Sequence, residues 1–165
     1  MSSRGRILAS MFVLLCLNEA LRAEEALITS DLASQIIKGC VEHSAARKQS
    51  HAIAVVDEGG HLIAFLRMQG NTPGVAEFAL AKAHAVGHWH FSTAAMKEAA
   101  QQTSGFAAAP HVVTVPGGIP VYSRDGSKYL GAVGVSGEAP ADDVACAEAG
   151  VSAAGFSIAP KSRQS

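Results

Sequence analysis

No lysine- or arginine-rich run occurs in the 165 residues, and 13 basic side chains against 14 acidic ones leave a formal net charge of −1. A phosphate backbone needs a basic stripe, so nucleic acid is excluded as a partner. Aromatic residues make up 5% of the chain, with a single Trp. Helix and sheet faces built mainly from Ala, Gly and Val are flat and closely approachable, a composition that favours a homo-oligomer. Several chemistries lack their motifs. There is no HExxH, no paired-Cys metal motif and no phosphate loop of the form GxxxxGK[ST]. Ser136, in Gly134-Val135-Ser136-Gly137, does not sit where a strand runs directly into a helix, so it is not a nucleophile elbow.

Long apolar runs are missing too. The longest, Ile7–Leu17, is about half the ~20 residues a helix needs to span a bilayer. Arg4 and Arg6 precede it, and Ala23 stands before the acidic Glu24-Glu25. That order is the order of a secretory signal peptide over residues 1–23, giving a periplasmic or secreted protein with no stable membrane anchor after processing. The other reading of the segment is an amphipathic N-terminal helix. The remaining chain is long enough for one domain over 24–158, with a polar tail at 159–165 expected to fray.

Within that domain, Thr29 or Ser30 can cap a helix from Asp31 to about Lys48, with Leu32, Ile36, Ile37, Cys40 and Val41 forming its apolar stripe. Strands are expected at about 51–57 and 61–68. Thr72-Pro73 reads as N-cap and first position of a helix through Phe78 to about His88, and a shorter helix spans Thr93–Gln102. Two more strands fall near 119–123 and 128–136. Asp142 or Asp143 then caps an Ala-rich helix to Ala154.

The strands come as two glycine-punctuated hairpins, one reversing through Asp57-Glu58-Gly59-Gly60 and the other through Arg124-Asp125-Gly126, residues that tolerate positive φ between β-rich arms. Gly131 and Gly134 leave the last strand without side chains at two places. Either a ligand or a helix must approach that backbone closely.

Taken together, VVDEGGHLIAFLRM (55–68), FALAKAHA (78–85), PGGIPVY (116–122) and LGAVGVSGEAPADDVACAEAG (130–150) resemble the GlcG/HbpS family of haem-binding or haem-degrading proteins. The likeness covers roughly residues 27–156. It implies an α/β (α+β) profilin-like three-layer domain, a five-stranded antiparallel sheet flanked by helices, and haem or iron as the cofactor, often in an oligomer. It implies a fold more firmly than a reaction. If that topology puts the first and last helices on one side of the sheet, Cys40 and Cys146 can form a disulfide in an oxidising compartment; two buried thiols are the alternative.

Chemistry concentrates in Lys82-Ala83-His84-Ala85-Val86-Gly87-His88-Trp89-His90. His84 and His88, four apart, share one face of a helix and can flank one ligand or, with His90, bind a metal that the residue types do not identify. Should Gly87 end the helix, His88 and His90 would share one side of an extended segment instead. A haem site needs an apolar slot, an axial donor and cations for the propionates. Trp89, Phe91, Phe78 and Met68 can supply the first, His84 or His88 the second, and Arg67 or Lys82 the third, with the Gly117-Gly118 backbone alongside. His43 is a reserve donor, while His51, His61 and His111 read as surface residues. Asp142 and Asp143 can form an acid/base pair, although helix capping explains them as well. The resulting reading is a secreted haem- or iron-compound-binding protein assisting haem trafficking or degradation. Its rivals are an enzyme or sensor for a small carboxylate, held by Arg67, Lys82 and the 117–137 backbone, and a structural partner of a dehydrogenase.

Overall fold

In the computed structural model, residues 27–162 are described; the expected leader lies outside them. Branched residues with period-two spacing form four strands, β1 (Ala52–Asp57), β2 (Leu62–Arg67), β3 (Gly118–Tyr122) and β4 (Tyr129–Ser136). They pair antiparallel throughout, in the order β2-β1-β4-β3. On one face lie α1 (Ser30–Arg47) and α4 (Pro140–Ala153), and on the other α2 (Pro73–Trp89), followed by α3 (Thr93–Gln102).

The two faces differ in side-chain size. Ile53, Val55, Ile119, Val121, Val133 and Val135 point toward α1 and α4, whereas Ala54, Val56 and Ala132 point toward α2. The small residues let α2 settle almost onto the backbone. A Cβ at Gly134 would lie 2.1 Å from the Ala79 carbonyl oxygen and 2.3 Å from the Ala83 nitrogen, and one at Gly131 would lie 2.2 Å from the Val56 carbonyl oxygen. Both glycines therefore serve protein packing, a helix at one and a neighbouring strand at the other.

The expected fifth strand is not formed among the described residues. Beyond β3 the described chain makes a single antiparallel bridge, Tyr122 to Ser157, with N···O distances of 2.7 and 3.1 Å. The next bonded pair along this edge would fall on Pro120, whose nitrogen has no hydrogen to donate, so the ladder stops after one rung. The tail is also partly held, since the Lys161 N–H donates to the Gly126 carbonyl at 2.8 Å.

Helix starts obey capping rules. Thr29 Oγ1 accepts from the Leu32 N–H and Ser92 Oγ from the Ala95 N–H. The last helix departs from expectation: it begins at Pro140 with Ala139 as N-cap, so Asp142 and Asp143 sit inside its first turn and neither is the cap. Cys40 and Cys146, on the adjacent helices α1 and α4, form a disulfide with their Cα atoms 4.7 Å apart.

Candidate functional site

α2 continues through Gly87 because that residue lies under the β1–β2 turn, where a Cβ would come within 2.8 Å of the Gly60 Cα. His84 and His88 consequently lie one turn apart on one helix face. The His88 Nδ1 is 2.7 Å from the His84 carbonyl oxygen. A carbonyl can only accept, so Nδ1 carries the proton and the neutral ring keeps its lone pair on Nε2. His88 is exposed, its ring lies beside Gly60, and it stacks flat on His111, with centroids 3.9 Å apart and planes at 12°. Burial lowers the pKa of half-buried His84, and the neighbouring His88 and His111 push it the same way.

His90 departs from this face. It caps α2 in the left-handed region at φ 60° and stacks on Tyr129, with centroids 4.1 Å apart. Stacked imidazoles hold their lone pairs in parallel planes, so His88 and His111 do not converge on one ion as they stand. Among the described residues no group of three His, Cys, Asp or Glu side chains is arranged to hold a metal ion. Trp89 faces the other way, its indole N–H donating to the Pro110 carbonyl at 3.0 Å and its ring edge-on to Phe106 at 5.1 Å. It fastens the segment after α3 to the end of α2.

β2 is the strand that α2 leaves largely uncovered while packing over β4, β1 and β3. Leu62 is 50% exposed, Phe65 38% and Leu66 36%. Phe65 pairs with Ala54 and Arg67 with Ala52, so both stand on the α2 side of the sheet. Arg67 is exposed and its guanidinium donates to the Asn71 carbonyl; it pairs with neither Asp57 nor Glu77. It stands at the end of β2 remote from Gly60, about 17 Å along the strand.

Lys82 occupies a different place from the one its sequence neighbours suggest. Its side chain is 1% exposed, and Nζ donates to the Asp143 carboxylate and the Val135 carbonyl, both at 2.8 Å, while lying 4.8 Å from the Phe78 ring centroid. Asp143 also accepts from the Glu138 N–H at 3.1 Å and faces His51 Nε2 at 3.7 Å. His51, expected at the surface, is fully buried, and its Nδ1 meets Ser44 Oγ at 2.8 Å. Ser44 lies against the disulfide sulfur of Cys146 at 3.3 Å. Burial pushes the Asp143 carboxyl up against the pull of Lys82, and lowers the His51 imidazole against the pull of Asp143.

The glycines expected to cradle a ligand complete this enclosure. A Cβ at Gly117 would lie 2.6 Å from Lys82 Nζ, and one at Gly118 2.7 Å from the Lys82 carbonyl oxygen. Their polar groups are engaged: the Gly117 carbonyl accepts from the Val135 N–H, and the Gly118 N–H donates to Thr93 Oγ1. Lys82, Gly117 and Gly118 thus pack one another, leaving His84 and His88, with Arg67 at a distance and exposed His90 turned onto Tyr129, as the predicted residues open to a ligand. His43 lies on the opposite layer, 3.3 Å from Arg47, and His61 is exposed beside Asp57 at 3.2 Å. Sequence reasoning missed the His88–His111 stack and the Lys82–Asp143–His51–Ser44 chain, whose members are distant in sequence; the start of the last helix at Pro140 was the one local signal bearing on Asp143.

Residues 28–152 match the family model described as haem degrading protein HbpS-like. Protein GlcG of Escherichia coli K12 is 34% identical over 111 residues, covering 67% of this chain and 81% of GlcG. Among solved structures, a complex of PduOC with haem superposes with a TM-score of 0.73 at 22% identity, covering 81% of this chain and 99% of PduOC. HbpS superposes with a TM-score of 0.70 at 24% identity, covering 76% of this chain and 89% of HbpS. These structural likenesses establish the shared α+β fold with its antiparallel sheet.

Proposed function

The chain belongs to the HbpS-like family, and from that membership we propose that it binds haem against the His84/His88 face of α2, with His88 as the axial donor. The observation that carries this reading is the His88 Nδ1–H bond to the His84 carbonyl. It fixes the tautomer and leaves an exposed Nε2 lone pair, the donor that a haem iron takes from histidine. Bound haem would supply an iron centre whose behaviour its axial donor and surroundings tune. The chain's own residues supply the rest: Leu62 and Phe65, on the α2 side of the sheet, offer apolar contact for a macrocycle, and Arg67 is the exposed cation on the same strand.

Export after a leader over residues 1–23 belongs to the same proposal, supported by Arg4, Arg6 and the run Ile7–Leu17 and by a disulfide suited to an oxidising compartment. In that setting the protein would pass haem on or assist its breakdown. The apolar strip of β2 supports self-association as well. The small-carboxylate reading loses one of its two cations, since Lys82 is sealed against Asp143, while Arg67 stays exposed.

Titration of the purified protein with hemin tests the proposal. The wild type and His43→Ala are expected to give an imidazole-type ferric spectrum, and His88→Ala and His84→Ala/His88→Ala to lose it. A wild-type spectrum identical to that of free hemin refutes haem binding. Retention of the imidazole spectrum by the double variant refutes the site.

A further inference from the structure

The two edges of the sheet are finished differently. Along β3 the outward groups are engaged: the Gly118 N–H donates to Thr93 Oγ1, the Tyr122 N–H donates to the Ser157 carbonyl, and Pro120 between them has no N–H. β2 has no such cover. The Met68 N–H donates to the His51 carbonyl, so with period two Leu66 and Ala64 also turn their peptide groups to β1, while Phe65 and Arg67 turn theirs away from the sheet. β2 ends the strand order, and among the described residues no backbone group pairs with those outward ones. We propose that β2 pairs antiparallel with β2 of a second copy about a two-fold axis at Leu66, joining two sheets into one. This makes specific the self-association proposed above and rests on it.

Residues 62–66 are apolar without a charge, and the side chains of Leu62, Phe65 and Leu66 are exposed. Such an edge is a template for another chain, and proteins usually blunt one with Lys, Pro or a bulge. β2 does carry a bulge opposite Val55 and Val56, yet its ladder from Ala64 to Arg67 is regular. Reversed about Leu66, that regular stretch complements itself. Leu66 meets the partner's Leu66 on one face of the sheet, and on the other Phe65 meets the partner's Arg67. A guanidinium against an aromatic ring is attractive, and the two Arg67 side chains are kept apart. The bond from Arg67 to the Asn71 carbonyl leaves further guanidinium donors and the guanidinium face available.

The outward peptide groups fit the same register. Phe65 pairs with the partner's Arg67 and Arg67 with the partner's Phe65, giving about four hydrogen bonds across the axis. The state of β3 decides how the contact closes. With that edge occupied by Thr93 and Ser157 and interrupted at Pro120, β2 cannot pair head-to-tail with β3 of another copy. The self-complementary contact therefore uses the one open edge of each chain and stops at two. A pairing of six-residue strands is small beside stable interfaces, so it forms at micromolar concentration.

Sedimentation equilibrium of the full chain over about 1–100 µM reads the association. Leu66→Lys sets two like charges at the axis and is expected to weaken it at least about tenfold; Leu66 is exposed, and an unchanged circular dichroism spectrum shows the fold kept. Phe65→Lys and Phe65→Glu remove the same ring but set opposite charges against the partner's Arg67. The Glu variant should therefore associate at least about fivefold more tightly than the Lys variant. Leu66→Cys should cross-link through the axis on mild oxidation, above any wild-type background, because facing Cα atoms of a non-hydrogen-bonded pair stand about 4.5 Å apart. Lys97→Cys, at an exposed position of α3, should not. A chain monomeric at every concentration overturns this pairing and the self-association above together. Association unchanged in Leu66→Lys, or Phe65→Glu no tighter than Phe65→Lys, overturns the pairing alone and puts the contact elsewhere on the surface.

Discussion

Replacing Asp143 by Ala removes one carboxylate from a place where three groups depend on it. Lys82 Nζ loses its partner at 2.8 Å, the Glu138 N–H loses its acceptor, and His51 Nε2 loses the oxygen 3.7 Å away. Lys82 cannot turn to water, because its side chain is 1% exposed and Gly117, Val135 and Phe78 close around it. An ammonium left buried without its counter-charge costs about 3–5 kcal/mol, a fifth or more of the ~5–15 kcal/mol that holds a domain of this size together. With a urea slope of ~2 kcal/mol per molar, the unfolding midpoint should fall by about 1.5–2.5 M. Lys82→Met/Asp143→Ala is the decisive companion. Removing both charges relieves the penalty, so the double variant should be clearly more stable than Asp143→Ala alone. Urea unfolding under non-reducing conditions, followed by circular dichroism, reads both. An Asp143→Ala cost below ~1 kcal/mol, or a double variant no better than the single, would refute this account of a sealed and mutually dependent pair.

Two further expectations come from the same core. Cys40→Ser/Cys146→Ser should lose about 4–5 kcal/mol by the chain-entropy account of a cross-link with a sequence separation of 106; an unchanged urea midpoint would contradict it. The His51 imidazole is held below its ordinary value of 6.5, chiefly by burial, so below pH 6.5 the unfolded chain binds more protons than the folded one. Stability is then held above that pH and falls on acidification through the window beneath it, by at most about 1.4 kcal/mol per pH unit. Urea midpoints at pH 7.5, 6.5 and 5.5 measure this, and His51→Gln should flatten the dependence if His51 is its source.

The helices and hairpins were legible because their signals are local. Thr29 caps its helix, Thr72-Pro73 opens the next, and Thr93–Gln102 matches its observed bounds. The fifth strand was expected on the resemblance alone, and Pro120, which prevents it, acts through an edge that no local pattern identifies. Of the candidate site, the shared face of His84 and His88 came from a spacing of four on a helix. The left-handed turn at His90 and the stacking of His111 depended on tertiary contacts. Lys82 was misplaced for a related reason: its neighbours on α2 are half-exposed histidines, yet its partner lies 61 residues away on a helix across the sheet. Sequence proximity grouped it with the wrong set.

The covalent tie between α1 and α4 gives the fold a mechanical property. All four strands, α2 and α3 lie between Cys40 and Cys146, so tension applied through the outer ends of α1 and α4 is carried by the cross-link and bypasses the sheet. Stretched in its oxidised form, the chain would come up short by roughly 370 Å of contour, the extended length of the enclosed segment. A reductant that cuts the tie restores that length and exposes the sheet to the pull for the first time.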